Sequence, residues 1–154
     1  MNCSAADNSL DCFGSMFRPS KSTQQRPLGR WYLSRVDFDA VDLYNQLLSS
    51  SDDYLEDTPF GVVGMDSDHR VVMYNRTESA FSGLSPERVT GRHFFSEVAP
   101  CTNNFMVAHR FDTEPELDAT IDYVFTLRMK PTPVQLRMLT RPDAARRFLL
   151  VQWR

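Results

Sequence analysis

The apolar residues change period three times along the chain, and the order of those changes restricts the folds open to it. Phe60-Gly-Val-Val-Gly-Met65 and Arg70-Val-Val-Met-Tyr74 are short apolar, β-branched runs on either side of Asp66-Ser67-Asp68-His69, which has the composition of a hairpin turn. From Asn75 through Gly83 and Gly91 to Cys101 the pattern becomes that of short helical segments. An acidic loop is expected over residues 112–118. Three more strand-like runs follow at 121–129, 134–140 and 148–153, separated by Pro131-Thr-Pro133 and Arg141-Pro-Asp143. Proline cannot donate to a sheet ladder, so these separators read as turns. A hairpin, then helices, then three antiparallel strands predicts an α+β protein. Its central antiparallel sheet is expected to pack on one face, with the middle helices walling a ligand pocket.

Upstream of the hairpin, Val41, Leu43, Tyr44, Leu47 and Leu48 recur near helical spacing behind aspartates that suit a helix start, and Ser49-Ser50-Ser51 marks the end. Residues 1–30 are rich in Ser, Asn, Gln, Pro and Gly without any sustained period, the signature of a flexible extension. The expected organisation is an extension over 1–30, a helical cap over 31–58 and a core over 59–154. A chain of 154 residues has room for one domain with an appendage.

Composition narrows the class. Hydrophobic residues at 42% and aromatics at 12% exclude global disorder, and no apolar run approaches the ~20 residues of a membrane span. Residues 1–30 lack the apolar stretch of a secretory leader. Cys3, Cys12 and Cys101 are an odd, scattered set that implies no disulfide framework, so a soluble, cytoplasmic protein is expected. The net charge of −3 is uneven: Asp37, Asp39, Asp42, Asp52, Asp53, Glu56 and Asp57 have no basic residue among them, whereas Arg128 onward is basic except for Asp143. Basic residues alternating on a late strand read as a solvated sheet face. With no nucleic-acid motif and no membrane segment, neither is expected as a partner.

Cys101 is the only cysteine beyond the extension, and it stands on a Pro100-Cys101 turn at the end of the run GRHFFSEVAPCT. A thiol so placed is either buried filler, the commoner fate of free cysteine, or a presented nucleophile. Tyr74, Glu78 and Ser82 stand four residues apart, so a helix would bring their hydroxyl and carboxyl groups to one face. The residues alone favour a plainer role: Asn75 as N-cap with Glu78 reaching back to its N–H in a capping box, and Tyr74 as a half-buried aromatic. The Asp66-to-His69 turn offers carboxylates and an imidazole but lacks further ligands at fitting spacing, so it reads as structural and no metal is expected.

Three blocks taken together carry a resemblance. Tyr74-Asn-Arg-Thr-Glu78-Ser-Ala-Phe-Ser82-Gly, then Val89-Thr-Gly-Arg-His-Phe94-Phe-Ser-Glu-Val-Ala-Pro100-Cys101-Thr102, then Tyr123-Val-Phe125-Thr-Leu-Arg-Met129-Lys-Pro131 resemble, in order and spacing, the photoactive yellow protein family of light-sensing PAS domains. The resemblance runs from about Asp37 to the C-terminus, and its most specific element is Val-Ala-Pro-Cys-Thr joined to Tyr-Asn-x-x-Glu. It implies a PAS fold and p-coumaric acid (4-hydroxycinnamic acid) held as a thioester on Cys101. Tyr74 and Glu78 are implied as hydrogen-bond donors to the ligand's phenolate, with Ser82 in a supporting position the family fills with threonine. Phe94, Pro100, Phe125 and Met129 match positions around the ligand. Such a protein isomerises its ligand in blue light, takes a proton from Glu78 onto it, and signals by releasing the N-terminal helix or its acidic flank. Leu84 stands where the family has an arginine and Leu127 where it has an aromatic, so colour, solvent access and recovery rate are open.

Two other functions compete. A PAS sensor or protein-interaction module without this chromophore would keep the same pocket residues for another small ligand or a partner protein. A thiol hydrolase would use Cys101 with His93 or His109 and Glu97, but the sequence shows no oxyanion element or oriented base–cysteine pair, and no enzyme activity is expected. These 154 residues carry no kinase, cyclase or DNA-binding motif, and an unidentified downstream signalling protein is the expected partner. PAS folds dimerise through a sheet face or an N-terminal helix, which keeps a homodimer among the expected arrangements.

Overall fold

The computed structural model describes residues 36–154. The expected extension over 1–30 and the first residues of the expected cap lie outside the described residues. Five strands form one antiparallel sheet: β1 (Gly61–Met65), β2 (Val71–Tyr74), β3 (Leu117–Phe125), β4 (Thr132–Thr140) and β5 (Arg147–Trp153), in the order β2-β1-β5-β4-β3. The last strand therefore enters the centre of the sheet, beside the first. The β1–β2 hairpin forms as expected. Asp66 Oδ1 accepts from the backbone N–H groups of Asp68 and Arg70, both at 2.9 Å, while His69 takes the left-handed conformation with φ 58°.

Helices α1 (Leu43–Ser49) and α2 (Asp52–Leu55) precede the sheet, and α3 (Arg76–Ser82), α4 (Pro86–Val89) and α5 (Ala108–Thr113) lie between β2 and β3. Ser51, in the serine run that ends α1, also caps α2 by accepting from Tyr54 N–H. The loop expected over 112–118 is shorter than anticipated. Burial of Ala108 and Phe111, together with an Arg110–Glu114 ion pair at 2.6 Å, extends helix through Thr113, and β3 begins at Leu117. That strand ends at Phe125 rather than 129, because residues 127–129 form a 3-10 turn.

The sheet is packed on both faces, not one. Val63, Met65, Leu136, Met138, Leu149 and Val151 face a core closed by Phe94, Phe95 and Phe111. Val62, Leu139, Phe148 and Leu150 face a second core closed by Phe38, Leu43, Leu47 and Leu55. The continuous burial of β1 and of Phe148–Val151 is the cause, since central strands covered on both sides lose the polar alternation of a one-sided sheet. The late basic residues do not all form a solvated face either. Arg137 is buried, donating to both carboxylate oxygens of Asp118 (2.8 and 2.9 Å) and to the carbonyl of Phe38 (2.6 Å), so it ties β3 and β4 to the chain entering the cap.

Candidate ligand site on β2, α3 and the 94–102 segment

Helix α3 starts where β2 stops because Asn75 satisfies both elements. Its own N–H donates to the Val62 carbonyl at 3.1 Å as the sheet pairing ends, and its Oδ1 accepts from Glu78 N–H at 3.0 Å as the helix begins. Gly83 ends the helix in the left-handed conformation, φ 75°, with its N–H bonded to the Ser79 carbonyl. Seven residues of helix between these caps turn Glu78 and Ser82 inward, 3% and 2% exposed, beside Tyr74 at 4%.

Half of the expected capping box forms. Asn75 is the N-cap, but Glu78 does not return to it, since the N–H that would receive it is already bonded to Val62. The Glu78 carboxyl points at the sheet instead, where Oε2 accepts the indole N–H of Trp153 at 3.0 Å. Gly61 on β1 lies directly beneath, and a Cβ there would collide with Glu78 Oε2. Burial pushes the Glu78 carboxyl up to about 8, with the Trp153 hydrogen bond opposing the rise, so at neutral pH the acid is predominantly protonated. Tyr74 Oη donates to Ser82 Oγ at 2.8 Å, and Ser82 Oγ also accepts from Leu84 N–H at 3.2 Å. Burial, reinforced by nearby Glu78, holds the Tyr74 phenol above its ordinary range, so it remains a donor throughout neutral pH.

Cys101 arrives by a different route. Phe94–Val98 form a π-helical turn that buries Phe94, Phe95 and Val98, and Pro100–Thr102 a 3-10 turn. The first turn is anchored by Phe94 N–H to the His69 carbonyl at 2.8 Å, the second by Thr102 Oγ1 to the Ala99 carbonyl at 2.7 Å. Cys101 is left half-buried against the core that holds Tyr74, while Pro100 is exposed. The Cys101 carbonyl accepts from Tyr123 Oη at 2.6 Å and from Asn104 Nδ2 at 3.0 Å. A run of aromatic contacts connects this point to the carboxyl: Tyr123 meets Phe125 with ring centroids 6.0 Å apart, Phe125 meets Trp153 at 5.5 Å, and Trp153 holds Glu78.

Of the sequence-predicted residues, Tyr74, Glu78, Ser82, Phe94 and Phe125 are buried and Cys101 is packed against the same core. Met129 does not join them. It is 97% exposed, with φ 58° in the turn after β3. Sequence reasoning missed Trp153, Tyr123 and Asn104. For Trp153 a signal existed, because strand alternation puts residue 153 on the same face as Leu149 and Val151. A cleft of about 370 Å³ opens beside the site, lined by Leu84, Arg88, Val89, Arg92, Glu97 and Val98. The hydrolase arrangement is not assembled among the described residues: His93 Nδ1 is engaged by Ser96, Glu97 accepts from His93 N–H, His109 is exposed, and no hydrogen bond reaches the Cys101 thiol.

The PAS fold family matches residues 52–154. A photoactive yellow protein of Halochromatium salexigens is 36% identical over 106 residues, covering 67% of this chain and 85% of the relative. The chain belongs to the photoactive yellow protein family. The namesake protein of Rhodothalassium salexigens is 31% identical over 109 residues, covering 69% of this chain and 87% of its own. Among solved structures, the photoactive yellow protein domain of the sensor histidine kinase Ppr from Rhodospirillum centenum is 39% identical, with a TM-score of 0.64 over 70% of this chain and 97% of that domain. Membership in this family places the chain among PAS domains with a light-sensing or other PAS sensory role. Among the described residues no helix is long and apolar enough to cross a membrane.

Proposed function

We propose that the protein is a blue-light sensor in which Cys101 holds p-coumaric acid as a thioester and Tyr74 and Glu78 donate hydrogen bonds to the ligand's phenolate. The observation that carries this reading is the buried carboxyl of Glu78, which burial favours in its protonated form, beside the buried phenol of Tyr74 in a core that bears a half-buried thiol, a pair of donors suited to an anion. Cys101, as thiolate, attacks the activated carboxyl of the acid and expels its activating group. The bound group supplies visible absorption and a double bond that light isomerises. Phe94 and Phe125 exclude water from the donors.

Once the ligand has isomerised, Glu78 passes its proton to the phenolate oxygen, leaving a neutral phenol and a buried carboxylate with Trp153 as its hydrogen-bond partner. Charges desolvated in this way cost several kcal/mol, a large share of the ~5–15 kcal/mol that holds a domain together. The strain has a direct path to the N-terminal cap. Asn75 Nδ2 reaches the Leu55 carbonyl, Thr58 Oγ1 and the Phe60 carbonyl at 2.9–3.0 Å, Arg76 N–H donates to Glu56 at 2.7 Å, and Thr77 Oγ1 donates to the Thr58 carbonyl at 2.6 Å. The signal is a loosening of α1, α2 and their acidic flank, read by a downstream signalling partner.

The test is reconstitution with activated p-coumaric acid followed by intact mass and absorption. The expected result is one covalent addition with a visible band that bleaches and recovers, both absent in Cys101→Ala. An unaltered mass refutes the thioester. A chromophore-free PAS sensor is the second reading, favoured by the cleft in which Arg88, Arg92 and Glu97 border apolar Leu84, Val89 and Val98, a setting for a small ligand with both apolar and polar parts.

A further inference from the structure

Glu78 carries one acid proton and two oxygens, and which oxygen keeps the proton decides where the carboxyl can donate. Trp153 Nε1 is donor only, so Oε2, which it contacts at 3.0 Å, must be the accepting oxygen. The indole is itself fixed on two sides, stacked on Phe81 with centroids 5.3 Å apart at 15° and packed against Phe125 at 5.5 Å. Gly61 beneath the carboxyl leaves room for this approach.

We propose that Trp153 is a positioning residue for Glu78: its N–H fixes Oε2 as the carbonyl oxygen, leaves the acid proton on Oε1 as the donor, and then stabilises the carboxylate when that proton departs. A hydrogen bond to an ionised carboxylate is roughly twice as strong as one to a neutral group, so the same contact that orients the acid lowers the cost of its ionisation. It opposes burial in the way a built-in release would. The ionisable group facing Glu78 is Tyr74 on β2, which stays neutral, while Gly61 on β1 and Trp153 on β5 bring no charge.

The role rests on the light-sensor reading for its purpose, but its test uses the ligand-free protein, so the two can fail separately. The protonated carboxyl of Glu78 is followed by its infrared C=O stretch, identified by its absence in Glu78→Gln, as pH is raised. The wild type should lose the band with a midpoint near 8. In Trp153→Phe, which keeps an aromatic ring but no N–H, the band should move to higher wavenumber and the midpoint rise by about one pH unit or more, the equivalent of a lost charge-assisted hydrogen bond. Replacement of Trp153 by benzothienylalanine, which preserves the bicyclic shape without the donor, must give the same two shifts and serves if the phenylalanine variant does not fold. An unchanged band and midpoint in the folded variant overturn the proposal. Failure of Cys101 to take up p-coumaric acid in the wild type would instead count against the light-sensor reading and leave this one standing.

Discussion

Asn75→Ala provides a demanding test of how α3 is tied to the cap. Asn75 is fully buried and its side chain makes five contacts: Oδ1 accepts from Val62 and Glu78 N–H, and Nδ2 reaches the Leu55 carbonyl, Thr58 Oγ1 and the Phe60 carbonyl. The donor side has a reserve, since Thr58 Oγ1 lies 3.0 Å from both the Leu55 and Phe60 carbonyls, although its single hydrogen serves one at a time. The acceptor side has none. Loss of the helix cap costs about 1 kcal/mol, and each buried group left without a partner about 1–3 kcal/mol. Allowing for relaxation, the expected destabilisation is about 3 kcal/mol. Urea unfolding followed by circular dichroism should show a lowered midpoint with an unchanged slope. A loss below about 0.5 kcal/mol, the range of an inconsequential surface change, would refute the view that this amide locks residues 55–62 to α3.

Three further outcomes follow from the same geometry. Gly61→Ala should destabilise the fold by about 1–3 kcal/mol and displace the Glu78 infrared band, because the new Cβ must push the carboxyl off Trp153; a band left in place contradicts the contact. The folded-state value of Glu78, about 8, lies above that of an unfolded carboxyl. Its contribution is therefore complete below roughly pH 4.5 and lost as pH rises through about 8, so the stability of the wild type relative to Glu78→Gln should fall across that window, and a constant difference would contradict the assignment. His69 has the opposite sense. Burial lowers its pKa, with Arg147 and His93 adding to the effect and Asp112 and Asp66 opposing it, and its Nε2 accepts from Arg147 at 2.6 Å. Stability linked to His69 should be complete above about pH 6.5 and decline on acidification below it. His69→Asn, which tolerates the left-handed backbone, should flatten that decline; an unchanged acid limb in a thermal-melting series would show that His69 is not its source.

Local chemistry was legible in the sequence where neighbours in the chain are neighbours in space. The Asp66 turn, the Asn75 cap and the Ser49-Ser50-Ser51 break depend on contacts within a few residues, and each formed where the side chains predicted. The capping box was misread at one point only, because the N–H that Glu78 would have met is taken by Val62, thirteen positions upstream of Asn75 on a paired strand. Arg137 was read as a solvated basic residue for a similar reason. Its partners, Asp118 and the Phe38 carbonyl, come from β3 and from the chain entering the cap.

The sequence by itself determined the period of each element, and hence an antiparallel sheet broken by short helices. Through the joined motifs around Tyr74, Glu78 and Cys101 it also determined the family to which those elements belong. Only the tertiary structure decided which polar groups face one another. Insertion of β5 between β1 and β4 delivers Trp153 to Glu78 across 75 positions of sequence, while segments outside the sheet pack on both of its faces and the turn after β3 leaves Met129 in solvent. Periodicity reports which side of an element is apolar, whereas a hydrogen bond requires a partner within about 3 Å, and that distance is set by strand order and register.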